Sequence, residues 1–64
     1  MITTKELYEW REKTLATYEK AVEESENAES KEIEEYYSAV ALVANNQMTV
    51  IERLIEQSRA NEKE

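Results

Sequence analysis

The chain contains neither glycine nor proline, and this absence limits its fold more than any other feature of the sequence. Globular proteins contain roughly 7% Gly and 5% Pro. Tight turns between β-strands favour Gly or Asn at positive φ, so sheets joined by such turns are close to excluded. A chain of 64 residues without either residue is therefore predicted to be all-α, with few connections between helices.

A first helix is predicted over about residues 4–26. Thr3-Thr4-Lys5-Glu6 matches a capping box, with Thr3 as the N-cap and Glu6 as the third helical residue. Apolar side chains then recur at three- and four-residue steps, and most of the opposite side carries Glu and Lys. We expect the apolar stripe to include Leu7, Trp10, Leu15, Tyr18 and Val22.

Apolar residues become sparse between Val22 and Ile33, which predicts a turn. Asn tolerates the left-handed conformation that often ends helices, so Asn27 is predicted to end the first helix in this way. Ser30 is predicted to be the N-cap of the next helix. The alternative is a single helix without interruption. Glutamates are unfavourable at the carboxyl end of a helix and favourable at its amino end, which favours the break.

A second, longer helix is predicted over about residues 30–58, followed by a polar tail at 59–64 that we expect to fray. Asn45-Asn46 could instead form a turn, which would give three short helices. The apolar phase continues across both asparagines, and this favours one helix. The whole chain, 1–64, is then one helical-hairpin domain. One broad stripe is predicted to face the first helix: Ile33, Tyr36, Tyr37, Val40, Ala41, Ala44, Gln47, Met48, Ile51, Leu54 and Ile55.

A second group of apolar residues on this helix lies opposite or beside that stripe: Ala39, Leu42, Val43 and Val50. One hairpin cannot cover both sides, and chains below about 70–80 residues rarely bury enough core alone. We therefore expect these four residues to form a homodimer interface, so that two hairpins make a four-helix bundle with coiled-coil-like packing. Antiparallel packing about a turn near Asn27 would place Trp10 near Met48 and Leu7 near Ile51.

This outline resembles the Rop-type dimeric helical hairpin, which also builds a four-helix bundle from short chains. The resemblance lies in the architecture, and no residue motif carries it. It implies RNA binding as one alternative function.

The side-chain inventory argues against catalysis. The chain has no His and no Cys, so nucleophilic triads and most transition-metal sites are excluded. All of its 15 acidic residues are Glu, and no spacing resembles a calcium-binding loop. We expect no catalytic residue, no cofactor and no metal.

Acidic residues are concentrated around the predicted turn, at Glu23, Glu24, Glu26, Glu29, Glu32 and Glu35. We call this group the acidic tip. It could bind a protein with a basic surface, or it could only keep the chain soluble. The net charge of −7 disfavours nucleic acid as a partner, because phosphates are bound by clusters of Lys and Arg.

No signal peptide and no apolar run of about 20 residues is visible, so the protein is expected in the cytoplasm and away from membranes. The sequence favours a small, acidic, non-catalytic interaction or regulatory module that acts as a homodimer. Two alternatives stay open. One is a nucleic-acid-related regulator, either a Rop-like RNA binder or an acidic decoy that mimics DNA. The other is a structural subunit of a larger helical assembly.

Overall fold

The computed structural model describes residues 2–62, which form two antiparallel α-helices joined by residues 27–30. Helix α1 spans Thr4–Glu26 and helix α2 spans Lys31–Glu62. The hairpin is elongated, with principal extents of 52 × 16 × 14 Å. The predicted all-α helical hairpin is confirmed. Within residues 2–62, neither helix has an apolar stretch long enough to cross a membrane.

The capping box at the start of α1 is present. The backbone N–H of Glu6 donates to Thr3 Oγ1 at 3.1 Å, and the backbone N–H of Thr3 donates to Glu6 Oε1 at 3.4 Å. Two amide groups at the helix start therefore gain partners that the helix itself cannot supply. The predicted start of α1 is confirmed.

Asn27 ends α1, but not in the predicted left-handed conformation. Its φ and ψ are −100° and 8°, and no residue among those described has a positive φ. Its backbone N–H and its side-chain Nδ2 both donate to the carbonyl oxygen of Glu23, at 3.1 and 3.0 Å. The Glu23 carbonyl thus accepts two bonds, and the N–H of Ala28 donates to the Ser25 carbonyl at 3.4 Å, so the helix ends without a left-handed residue.

Ser30 is the N-cap of α2, as predicted. Its Oγ accepts from the backbone N–H of Ile33 at 3.2 Å, and its carbonyl accepts from the N–H of Glu34 at 3.0 Å. Helix α2 continues without a break through Asn45 and Asn46. The structure thus confirms one turn and one long second helix, and it contradicts the single-helix and three-helix alternatives.

Helix α2 extends to Glu62, the last described residue and four residues beyond the predicted end near Ser58. Thr4 Oγ1 donates to Glu62 Oε1 at 2.6 Å and also contacts Ser58 Oγ. These contacts give the polar residues of the last two turns partners on α1, which the sequence pattern alone does not reveal. Residues 59–62 of the tail predicted to fray are helical, and residues 63 and 64 lie outside the described residues.

The two helices meet along residues spaced alternately by three and four, the spacing of a coiled-coil seam. We call these residues the inner seam; every member is buried or half-buried. Its large, buried members form one cluster of Leu7, Ile51 and Ile55. The inner seam consists of Thr4, Leu7, Arg11, Thr14, Tyr18, Ala21 and Ser25 on α1, and Tyr37, Ala41, Ala44, Met48, Ile51, Ile55 and Ser58 on α2.

The register of the hairpin differs from the prediction by several residues. Ser25 Oγ bonds Ser38 Oγ at 3.0 Å, and Arg11 Nε lies 3.3 Å from Glu52 Oε1. In both pairs the α2 residue is further along the chain than a turn centred near Asn27 would place it. The first turn of α2 therefore projects beyond the end of α1, which leaves Ile33 44% exposed.

This register removes Trp10 from the predicted core position near Met48. Leu7 does share a buried cluster with Ile51, but Trp10 is 40% exposed at the border of the inner seam. The buried positions of α1 are Leu7, Thr14 and Ala21, which repeat every seven residues. Trp10 lies outside that repeat, so the prediction that it belongs to the core was wrong.

We expect Asn45→Pro to be severely destabilising, because proline removes a hydrogen bond in mid-helix and its ring clashes with the preceding turn. The loss should be about 3 kcal/mol or more in the free energy of unfolding. Urea unfolding followed by circular dichroism measures it, and Asn45→Ala is the control that keeps the helix. An unchanged midpoint in Asn45→Pro would contradict a continuous α2.

We also expect Ser30→Ala to lower the free energy of unfolding by about 1 kcal/mol, because the N–H of Ile33 loses its acceptor. Ser30→Asp should keep most of the stability, since a carboxylate also caps a helix start and suits its dipole. Urea unfolding at equal chain concentration compares the two variants. Equal losses in both would show that the side chain of Ser30 is not the cap.

Candidate interaction surface

A second row of residues with alternating three- and four-residue spacing follows α2 outside the hairpin. At about 100° per residue, this row lies about 80° round the helix from the inner seam. Its large apolar members other than Val40 are exposed, with Val43 at 55% and Val50 at 50%. We call it the outer seam; it consists of Ile33, Tyr36, Val40, Val43, Gln47, Val50 and Leu54.

The outer seam corrects the sequence prediction of one broad stripe facing α1. Five of its members, Ile33, Tyr36, Val40, Gln47 and Leu54, were assigned to that stripe, and only Val40 among them is half-buried. The stripe is in fact two narrow seams that diverge by roughly a quarter of a turn. A strict alternation of three and four was the signal that could have separated them.

The four residues predicted to form a dimer interface are all exposed in the hairpin. Val43 and Val50 belong to the outer seam, and Ala39 lies directly beside it. Leu42 is 62% exposed and lines a separate groove with Tyr18 and Ser38. The structure thus brings Ala39, Val43 and Val50 to one face of α2 and leaves Leu42 on another, and the role of all four in a dimer stays a prediction.

Two shallow grooves run along the outer seam and involve residues of α1. Trp10 lines one groove together with Val43, Gln47 and Val50. Thr17 lines the other with Tyr36, Val40 and Val43. Sequence reasoning missed this contribution of α1. The seven-residue repeat of Leu7, Thr14 and Ala21 was the signal that could have placed Trp10 beside the core and not in it.

Tyr36 and Tyr37 connect the two seams. Their rings form an edge-to-face pair with centroids 5.1 Å apart and an interplanar angle of 78°. Tyr37 is half-buried in the inner seam, whereas Tyr36 is 63% exposed on the outer seam. A large aromatic ring is thus held by its neighbour on the open face, a geometry that aromatic pairs prefer.

The hairpin exposes more surface than a compact protein of its mass. Its accessible area is 5284 Å², whereas a compact monomer of 7.5 kDa exposes about 4,250 Å². The excess is about 1,000 Å². A standard protein–protein interface removes about 800 Å² from each partner, so the excess is of the size that one interface would cover.

The acidic tip lies at the end of the hairpin where the chain turns. Glu23, Glu24 and Glu26 are in the last turns of α1, Glu29 is in the connection, and Glu32 and Glu35 begin α2. All six are exposed. In residues 2–62 the ion pair of Arg11 with Glu52 is the only one, and it lies away from the tip. Within this range, no three acidic side chains lie close enough together to hold a metal ion.

Comparison with protein-family models, with curated proteins and with solved structures gave no match. The exposed surface of the hairpin is therefore the feature from which a function can be inferred.

Proposed function

We propose that the protein is a non-catalytic protein-interaction module that acts as a homodimeric four-helix bundle. The observation that carries this proposal is the outer seam, an apolar row along α2 that the hairpin leaves exposed. Apolar surface in a continuous row is costly in water and typical of an interaction site.

The placement of the two seams supports a bundle. A helix at the corner of a four-helix bundle contacts two neighbours on faces about a quarter of a turn apart. The inner seam contacts α1, and the outer seam lies about 80° from it. The same helix can therefore contact its own α1 and a helix of a second hairpin.

The small size of the hairpin core also supports self-association. Only Leu7, Ile51 and Ile55 form a cluster of large, buried side chains among the described residues, and the remainder of the inner seam includes Ala21, Ala41 and Ala44. Burial of one large apolar side chain contributes about 1.5–3 kcal/mol, whereas ordering each residue costs about as much. A second hairpin on the outer seam would add the burial that the first lacks.

The side chains support a non-catalytic role. The chain offers no imidazole and no thiol. The polar side chains on the outer seam are the amide of Gln47 and the hydroxyl of Tyr36, which donate and accept hydrogen bonds. Activity by binding is the role that fits this inventory.

Val43→Glu should convert the dimer to a monomer, because it places a charge in the middle of the outer seam. The matched control is Asn45→Glu, which adds the same charge on the opposite side of α2. Sedimentation equilibrium at micromolar concentrations should give twice the chain mass of 7.5 kDa for wild type and the control, and the single-chain mass for Val43→Glu.

Trp10 supplies a second measurement, since it is the single tryptophan and borders the outer seam. Its emission should shift to shorter wavelength as dimers form on increasing concentration. A fully helical wild-type monomer throughout this range would reject the proposal. A mass above that of a dimer would instead favour the larger helical assembly.

A second proposal concerns the acidic tip as a binding surface for a basic protein. Its six exposed glutamates, with no ion pair at the tip among the described residues, support it. Such binding would be fast and weakened by salt, because charges on the surface are screened over about 8–10 Å at physiological ionic strength.

The tip is tested with a partner isolated from the native host. A Glu26/Glu29/Glu32→Gln variant should bind that partner more weakly than wild type, and salt should weaken wild-type binding more than binding of the variant. Unchanged affinity together with a flat salt response would reject the tip. Direct, salt-dependent binding of RNA by the wild-type protein would favour the Rop-like alternative, and a DNA-binding protein as the partner would favour the decoy.

A further inference from the structure

We infer that the two α2 helices of the dimer pair in antiparallel orientation along their outer seams, with the two-fold axis crossing the seam at the level of Asn45. This inference rests on the proposed homodimer and adds its orientation and register. The occupant of the outer seam is a second copy of this chain. The excess surface of about 1,000 Å² matches what one copy would cover, and residues 2–62 contain no segment outside the hairpin that could reach it.

Charge decides the orientation. Glu32 and Glu35 flank the outer seam near the start of α2, and Arg53 flanks it on the same side near the end. All three are exposed, and the ion pair present among residues 2–62 does not include them. A parallel dimer would hold Arg53 about 27 Å along the axis from Glu35 of the partner subunit, so the two could not pair. An antiparallel dimer places Arg53 beside Glu35 of the partner subunit.

The acidic tips favour the same orientation. A parallel dimer would bring both tips to one end of the bundle, where their glutamates would repel one another. An antiparallel dimer separates the tips to opposite ends, and the dipoles of the two α2 helices then oppose each other as well.

The register follows from the apolar and polar members of the outer seam. In an antiparallel pair, the residues of one outer seam alternate along the interface with the residues of the other. One register places Tyr36 against Leu54 of the partner subunit, Val40 against Val50 of the partner subunit, and Val43 against Gln47 of the partner subunit. This register brings every apolar residue of the outer seam from Tyr36 to Leu54 into the interface.

Gln47 selects this register from its neighbours. The two Gln47 side chains lie on helices offset by four residues, about 6 Å along the axis at 1.5 Å per residue, so their amides can bond each other near the centre. A shift of seven residues in one direction separates the amides, and in the other it leaves Tyr36 and Val40 without apolar partners. A single polar residue in a seam commonly fixes register in this way.

The chain has no cysteine, so single-cysteine variants can report the orientation. Ala39 and Arg53 flank the outer seam, and the inferred register brings Ala39 opposite Arg53 of the partner subunit. The Ala39→Cys and Arg53→Cys chains are mixed in a glutathione redox buffer, and the disulfide-linked products are identified by intact mass. The disulfide between the two variants should exceed the fraction expected from random pairing. Ala39→Cys alone should not cross-link, because its two copies lie about 18 Å apart and a disulfide needs Cα atoms within about 7 Å.

Charge exchange gives a readout that does not depend on disulfides. Arg53→Glu should weaken the dimer roughly tenfold, and adding Glu35→Arg should restore it. Arg59→Glu is the control, since it makes the same change in charge away from the outer seam and should leave the dimer intact.

The outcomes separate this inference from the proposed function. A wild-type dimer in which each cysteine variant cross-links only with itself would overturn the antiparallel orientation and leave the homodimer standing. A wild-type dimer with no mixed disulfide, and no rescue by Glu35→Arg, would overturn the register. A monomeric wild type would reject the homodimer and this inference with it.

Discussion

The contact of Leu7 with Ile51 and Ile55 is the interaction on which the hairpin depends. These residues form the cluster of large buried side chains at the end of the molecule away from the connection. At the other end, the connection joins the helices covalently and small residues such as Ala21 and Ala41 let them approach closely. The two ends are therefore held by different means. The long exposed face of α2 is a consequence, because so small a core covers only one side of the helix.

The local features of the fold could be predicted from the sequence because they depend on neighbouring residues. Thr3 and Glu6 cap α1, and Ser30 caps α2, through contacts that span three residues. The continuity of α2 across Asn45 was also predictable, since an unbroken apolar phase is incompatible with a turn. The exposure of Val43 and Val50 followed from their position away from the main stripe. These inferences need no knowledge of how the helices meet.

The register of the hairpin, and which apolar row of α2 faces α1, could not be predicted, because both depend on residues far apart in the chain. The bond of Ser25 to Ser38 shows that α2 begins beyond the end of α1, which follows from the path of the connection. The apolar arc of α2 contains two rows with alternating three- and four-residue spacing, and which of them faces α1 depends on the register, so Tyr36 and Leu54 were assigned to the wrong row. Trp10 was misplaced for the same reason. The partners of Thr4 near the end of α2 give no signal in the sequence at all.

The connection between the helices contains no residue that requires a left-handed backbone. It depends on the amide of Asn27 and the hydroxyl of Ser30, while Glu24, Glu26 and Glu29 make none of the side-chain hydrogen bonds described there. Folding therefore places little restriction on the identity of these three acidic residues. This stretch is free to drift in sequence without loss of the hairpin, so an excess of negative charge retained there among related chains would reflect selection for something other than folding.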